Sequence, residues 1–338
     1  MASLGKATIY SVATAAGVSA ATVSRYLNTP DKVKPETRER IRAAMEELQF
    51  TPDAYARERA RKEYARIGVV TPHFPAPSFV QRVKGVAKAL EGTAHELIIY
   101  TVDTPENLEH YISVLPATGR VDGLILMSLH LSDRQIESLH RRSLEVVCVE
   151  FENRGFPAVT VDTVEGGRLA ARHLAATSDG PFAYIGETPP AGVADWPFLR
   201  RMAGYRSELE VLGYALADEH VSTGAYSMEE GYRMTAELLQ KPNRPRSLFA
   251  GSDLHAIGAL KAAAAASVAV PEQLAIVGFD DIDVASYMEI TTIHQSLEES
   301  GRVAVELLLA GLAEPGRPIR SIQLPVALIE RNTTRPRR

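Results

Sequence analysis

Cysteine occurs once in the 338 residues, at Cys148, which excludes an internal disulfide framework and a cysteine-built zinc cluster. No apolar run approaches the roughly 20 residues that a membrane span needs. The longest, around Ala262–Ala266, is short and alanine-rich. The opening MASLGKATIYSVATAAG lacks the basic start, leucine-rich stretch and small-residue cleavage site of an export signal. Phosphate-binding loops are missing as well. No Gly-x-Gly-x-x-Gly follows a strand-like run and no Gly-Lys-Ser/Thr appears, so a nucleotide cofactor has no support. His95-Glu96 has no second histidine at metalloprotease spacing, and the nine histidines are scattered, so no metal site is expected. Cys148 lies inside an apolar strand-like run without a thiolate-stabilising neighbour and reads as core. These absences point to a cytoplasmic protein with no membrane partner, cofactor or catalytic constellation.

What is present is an ordinary globular composition, 45% hydrophobic and 23% charged, which rules out disorder and collagen-like repeats. At roughly 100–200 residues per domain the length suggests two or three domains. The net charge of −5 conceals an asymmetry: residues 1–66 hold 12 Lys+Arg against 8 Asp+Glu, a balance of +4, which leaves −9 for the rest. A small basic head on a larger acidic body is what a nucleic-acid-binding module joined to something else looks like.

In the head, Thr8 is placed to cap a helix over Ile9–Ala16, whose Ile9, Val12, Ala13 and Ala16 recur at helical spacing. Gly17 stops it, being free to take positive φ. Ser19 can cap a second helix from Ala20 to about Leu27, with Val23 and Leu27 inward. A third spans Pro35 to Leu48, with proline in its first turn and Ile41, Met45 and Leu48 on its packing face. In the skeleton Ala13-x3-Gly17-x5-Val23, a small residue allows close helix approach, glycine makes the turn and valine plugs the corner. That is helix-turn-helix geometry.

From Arg66 onward, short apolar runs alternate with helical stretches. The strand-like runs are 67–70, 96–100, 122–127, 145–150, 158–162, 182–187, 247–251 and 274–280. Helical patterns lie around Phe79–Glu91, Glu165–Ala176, Phe198–Leu212, Glu229–Gln240 and Leu254–Ala266. Such alternation predicts parallel sheets covered on both faces. The number of units predicts two similar α/β halves, with a binding cleft between them at the carboxyl ends of the strands.

The wording is more specific than the periodicity. TIYSVATAAGVSAATVSRYLN, followed by KVKPETRERIRAAMEEL and QFTPDAYAR, closely resembles the DNA-binding head of the lactose/galactose-repressor family of bacterial transcription regulators. GSDLHAIGALKAAAAASVAVPEQLAIVGFDD (251–281) and TTIHQSLEESGRVAVELLL (291–309) resemble the core of the same family, which is similar to periplasmic sugar-binding proteins. The resemblance implies an all-α helix-turn-helix head over residues 1–51, a hinge helix or linker over 52–65, and a periplasmic-binding-protein-like core over 66–338. The core's first half would take about 66–161 and 291–320, its second about 162–290 and 321–338, with the chain crossing near 162 and 290 and returning near 321.

Carried over position by position, the resemblance gives base reading to Ala20, Ala21 and Arg25. Arginine can grip guanine O6 and N7, and alanine can meet a thymine methyl. Ser19, Thr22, Ser24 and Asn28 fall where the family holds phosphates, beside Thr8 and Tyr10, with Lys32 and Thr37 as weaker candidates. Ser19 is equally a helix cap. The hinge segment includes Ala56 and has Arg59 where the family carries a leucine that wedges into the central base step, and Asp53 where it has asparagine. Arginine suits a narrow minor groove but is no apolar wedge. Arg59 therefore either reads groove shape or is a solvated charge.

Family effector contacts map to Arg201, Ser252 and Asp280. Arginine donates in a fork and aspartate accepts, a sensible pair for vicinal hydroxyls. Ser252 stands where many members have asparagine. Asp253 after it reads as a helix cap ahead of a contact. Trp196, Phe198, Tyr226, Phe74 and Phe79 supply flat apolar faces of the kind sugar rings need, and Glu150 is a further candidate contact. Together these imply a repressor of a carbohydrate-utilisation operon. It would bind double-stranded, pseudo-palindromic operator DNA as a homodimer and be switched by a mono- or disaccharide between the core halves. No leucine heptad trails the chain, which favours a dimer over a tetramer. Two rivals share the fold: a purine or nucleoside effector, for which Trp196 would also stack, and control by a protein partner. An enzyme would need paired carboxylates or a nucleophile in the cleft, and Asp280 and Asp281 face apart.

Overall fold

The computed structural model describes residues 8–48, 50, 65–142, 144–189 and 196–335. The chain divides into two compact units, one of residues 1–65 with 93–96 and one of residues 66–92 with 97–338.

In the head, helices α1 (Ile9–Ala16), α2 (Ala20–Asn28) and α3 (Pro35–Glu47) surround a core in which Val12, Val23 and Ile41 are fully buried. Burying an aliphatic side chain of this kind contributes about 1.5–3 kcal/mol. Thr8 and Ser11 cap α1 reciprocally, side chain to backbone in both directions. Gly17 ends α1 at φ +63°, and the Arg40 guanidinium of α3 donates to the carbonyls of Ala16 and Gly17. A cation thus satisfies the helix's free carbonyls where its dipole is negative.

The body holds strands β1 (Ala65–Thr71), β2 (His95–Thr101), β3 (Gly123–Met127), β4 (Glu145–Val149), β5 (Ala158–Val161) and β11 (Ser321–Leu324) in one sheet. The other sheet has β6 (Phe182–Glu187), β7 (Val221–Gly224), β8 (Ser247–Ala250), β9 (Ala275–Asp280), β10 (Thr291–His294) and β12 (Ala327–Ile329). Their orders are β11-β5-β4-β3-β1-β2 and β12-β10-β9-β8-β6-β7. β11, β5, β4, β3 and β1 run parallel to one another, as do β10, β9, β8, β6 and β7, while β12 lies antiparallel to β10. Between them run helices α4 (Pro77–Leu90), α5 (Pro105–Thr118), α6 (Asp133–His140), α7 (Thr163–Thr177), α8 (Pro197–Val211), α9 (Met228–Leu239), α10 (Asp253–Ala265), α11 (Asp283–Tyr287) and α12 (Leu297–Ala313).

The central strands of each sheet are buried on both faces, as near-continuous apolar strands require. In β3, Ile125 and Met127 pack with Val86 and Leu308 on one side, while Leu124 and Leu126 meet Ile112 and Leu139 on the other. Cys148 belongs to that second cluster, with its thiol pushed up to about 11 by burial.

Two boundaries differ from expectation. β10 pairs Thr291–His294 with Val277–Asp280 of β9, so the chain stays in the second half beyond 290 and crosses at 295–296. β11 pairs Ser321–Leu324 with Ala158–Val161 in the first sheet, so the return falls at 325–326 rather than near 321.

Candidate functional site

On the head, Ala21 and Arg25 lie four residues apart on α2 and are both exposed, which puts them on one face. Ala20 is half-buried against the head core. Ser19 caps α2 by accepting from the Thr22 amide at 3.2 Å, and the two hydroxyls bond at 2.9 Å. Tyr10 is 71% exposed, Lys32 is exposed in the turn before α3, and Ser24 and Thr37 are half-buried. The Thr8 hydroxyl is engaged in its cap, and Asn28 closes α2. Ala56 and Arg59, with the segment around them, lie outside the described residues.

In the body, residues just beyond the strand ends converge on one cleft of about 440 Å³, open at its mouth. It lies between the two halves. His73 follows β1, Ser128 follows β3, Glu150 follows β4, Glu187 ends β6, Asp280 ends β9 and Gln295 follows β10. Four of these (His73, Ser128, Glu150 and Asp280) have φ between +52° and +116°. Non-glycine residues avoid that region, and it gathers at functional sites. The backbone there turns the side chains out of the strand direction and into the cleft.

The starts of α4 and α8 close the walls. Proline opens each helix, and neither has a side-chain cap. α4 brings Ser78, Phe79 and Arg82; α8 brings Phe198 and Arg201 behind Trp196. Arg201 is 2% exposed. It donates to the Gly251 carbonyl at 2.6 Å, lies 3.4 Å from Glu150 and 4.0 Å from Asp280, and stacks on the Phe279 ring 3.7 Å from its centroid. Its Nε is buried and has no hydrogen-bond partner among the described residues. Arg82 donates to Ser300 at 2.9 Å and to Gln295 at 3.2 Å, and reaches Glu150 at 3.5 Å. Asp280 accepts from Gln295 and, at 3.3 Å, from the Tyr226 hydroxyl, which also bonds Ser78 at 2.8 Å. Burial raises the Asp280 carboxyl against the pull of Arg201 and Arg82.

Glu187 accepts from the Trp196 indole at 3.0 Å and faces His73 at 3.4 Å. Burial pushes it up to about 7, while burial lowers His73. The cleft therefore offers forked donors, carboxylate acceptors and the rings of Phe79, Phe151, Trp196, Phe198 and Tyr226. Among the described residues, no group of three or more His, Cys, Asp or Glu is placed to hold a metal, and no helix is long and apolar enough to cross a membrane.

Of the residues read from sequence, Arg201, Asp280, Trp196, Tyr226, Phe79, Phe198 and Glu150 meet in this cleft. Phe74 does not line it; its neighbour His73 does. Ser252 is also absent from the cleft. It is fully buried as the cap of α10, accepting from the His255 amide at 3.2 Å. Asp253 is accordingly not the cap: its carboxylate accepts from the Ile282 amide at 2.9 Å and the Thr292 hydroxyl at 2.6 Å. The sequence reading missed Arg82, Gln295, Ser78, Ser128, His73 and Glu187. One signal was available, since Arg82-x2-Gly85 repeats Arg201-x2-Gly204.

A three-helix head and a body of two α/β halves around a polar, aromatic-lined cleft define a DNA-binding regulator with a small-molecule core. Residues 8–53 match bacterial regulatory proteins of the lacI family, and residues 171–334 match the periplasmic binding protein-like domain. The HTH-type transcriptional repressor PurR of Erwinia tasmaniensis is 31% identical over 334 residues, covering 97% of this chain and 96% of that protein. A solved complex of the transcriptional regulator CelR with cellobiose covers 97% of this chain and 99% of its own at 28% identity, with a TM-score of 0.71. The lac repressor dimer bound to operator and the anti-inducer ONPF gives 27% identity, the same coverage and a TM-score of 0.69. The chain belongs to the lacI family of bacterial regulatory proteins and is a transcriptional regulator.

Proposed function

We propose that this regulator represses a carbohydrate-utilisation operon, binding a pseudo-palindromic operator as a homodimer and switching when a mono- or disaccharide occupies the cleft. The observation that carries the reading is the pairing of Arg201 and Asp280 beside the rings of Phe79, Trp196 and Phe198. Forked donor, acceptor and flat apolar faces are what a sugar's hydroxyl edge and C–H face need. Two-fold symmetry gives each head one half-site. The exposed apolar side chains of α9 and at α11 (Met228, Tyr232, Val284, Tyr287 and Met288) support a second copy. The effector acts through unequal affinity for two arrangements of the halves.

Thermal melting against a panel of mono- and disaccharides, with purines included, tests this. A ligand at ~100 times its dissociation constant adds about 2.7 kcal/mol, a rise on the order of 2–4 °C for a body of this size. Arg201→Ala is expected to abolish the rise and the effector response while leaving operator binding intact. A purine response in place of a saccharide one overturns the effector class; silence across the panel favours control by a protein partner.

A further inference from the structure

Resting on the reading of the cleft as an effector site, we propose that Glu150 is a built-in anion that bars negatively charged effectors and restricts the site to uncharged polyhydroxylated ones.

One carboxylate oxygen of Glu150, Oε1, lies 3.5 Å from Arg82 Nη2 and 3.4 Å from Arg201 Nη2. The other, Oε2, accepts from the Ser128 hydroxyl. The two guanidinium groups come from opposite halves and are 3% exposed at their side chains, with Glu150 at 9%. Without Glu150 they would converge on one point next to two helix starts that no side chain caps. That is the composition of a phosphate or carboxylate site. Glu150 fills it from within, and the backbone is bent to let it do so: φ is +77° at Glu150 and +52° at Ser128, at the ends of adjacent parallel strands.

The remaining charges reinforce the exclusion. Asp280 and Glu187 add two acidic side chains, and among the described residues of the lining Arg82 and Arg201 are the only arginine or lysine side chains. Glu187 accepts from the Trp196 indole and faces His73. A sugar phosphate or sugar acid would enter facing the Glu150 carboxylate and two further acidic side chains, with both arginines already engaged by Glu150. A neutral polyol meets acceptors for its hydroxyls and rings for its faces.

Removing the internal anion should create the site it occupies. Glu150→Gln keeps the length and the Ser128 contact; Glu150→Ala opens the space as well. Glu187→Gln is the control, taking away a carboxylate of the same cleft without releasing an arginine. Each is titrated with inorganic phosphate and glucose 6-phosphate at matched ionic strength, by calorimetry and by melting. The head is identical in all four proteins, so differences belong to the cleft.

The expected result is at least a tenfold gain in affinity over the wild-type cleft in either Glu150 variant and a clearly smaller gain in Glu187→Gln. Wild-type protein that binds glucose 6-phosphate as tightly as either Glu150 variant overturns the proposal. So does a gain in Glu187→Gln equal to that in Glu150→Gln, or no gain in both Glu150 variants when both melt cooperatively. Inorganic phosphate needs no sugar subsite. A protein that ignores every saccharide yet gains phosphate binding on loss of Glu150 sinks the sugar reading and leaves this one standing.

Discussion

Arg82 and Arg201 occupy matching places in the two halves. Each lies three residues before a glycine, Gly85 or Gly204, on a helix packed against glycine-bearing neighbours. A side chain on Gly301 of α12 would run into the carbonyl oxygen of Arg82, and one on Gly167 of α7 into that of Arg201. Reciprocally, side chains at Gly85 and Gly204 would strike the carbonyls of Glu298 and Val164. Backbone contact on both sides fixes where each arginine leaves its helix, and the two fixed guanidinium groups meet at Glu150.

Gly204→Ala and Gly301→Ala are therefore expected to force the helices apart, at a stability loss of about 1–3 kcal/mol or more. Saccharide binding should weaken alongside, because the arginine moves with its helix. Urea denaturation and ligand titration of the two variants check this. Wild-type stability in both would refute the clamp.

Arg25→Ala on α2 is expected to cost about 1–3 kcal/mol of operator binding and to relax preference at one base pair per half-site. Affinity measured across operator variants carrying single substitutions is the check. An equal loss on random DNA would assign Arg25 to the phosphates instead.

Glu187 gives the cleft a pH signature. Its carboxyl is pushed up to about 7 by burial, whereas in the unfolded chain it ionises near ~4.3. Between these values the native state holds a proton that the unfolded state releases, so this contribution to stability is present at low pH and lost as pH rises through about 7. Glu187→Gln stays neutral throughout. It is expected to melt above wild type at about pH 8 and to converge with it near pH 4, around the unfolded value; parallel melting curves across that range would contradict the assignment.

The Tyr226 hydroxyl ties the second half, through Asp280, to Ser78 of the first. Tyr226→Phe keeps the ring and removes both bonds. A loss of about 1 kcal/mol per hydrogen bond is expected, with the ring's share of saccharide affinity retained. Melting and titration together separate the two; loss of all affinity would make the hydroxyl itself the contact.

The body's central strands were legible because strands buried on both faces are apolar throughout, as in 123–127. β7, β10, β11 and β12 were not read. β7 (Val-Ser-Thr-Gly), β10 (Thr-Thr-Ile-His) and β11 (Ser-Ile-Gln-Leu) carry polar residues, and all four strands are short, so pairing with a neighbour defines them. Arg201 and Asp280 were marked by the wording around them. Arg82 looks like any basic residue on an amphipathic helix, and its meeting with Glu150 spans 68 positions that no local pattern reports. Ser252 misled because it follows a strand at the cleft level; α10 begins at the very next residue, and the first turn's amides take its hydroxyl.

The chain passes between the halves three times, at 162, 295–296 and 325–326, beside the paired strands β5 and β11 on one side and β10 and β12 on the other. A single tether would let the halves swivel in any direction; three side by side favour one axis of rotation. At the middle tether Ser296 already sits at φ +53°, a backbone well with little room to drift. Three neighbouring crossings resist sliding and twisting of the halves more than bending about the line they share, so the body is built to hinge there.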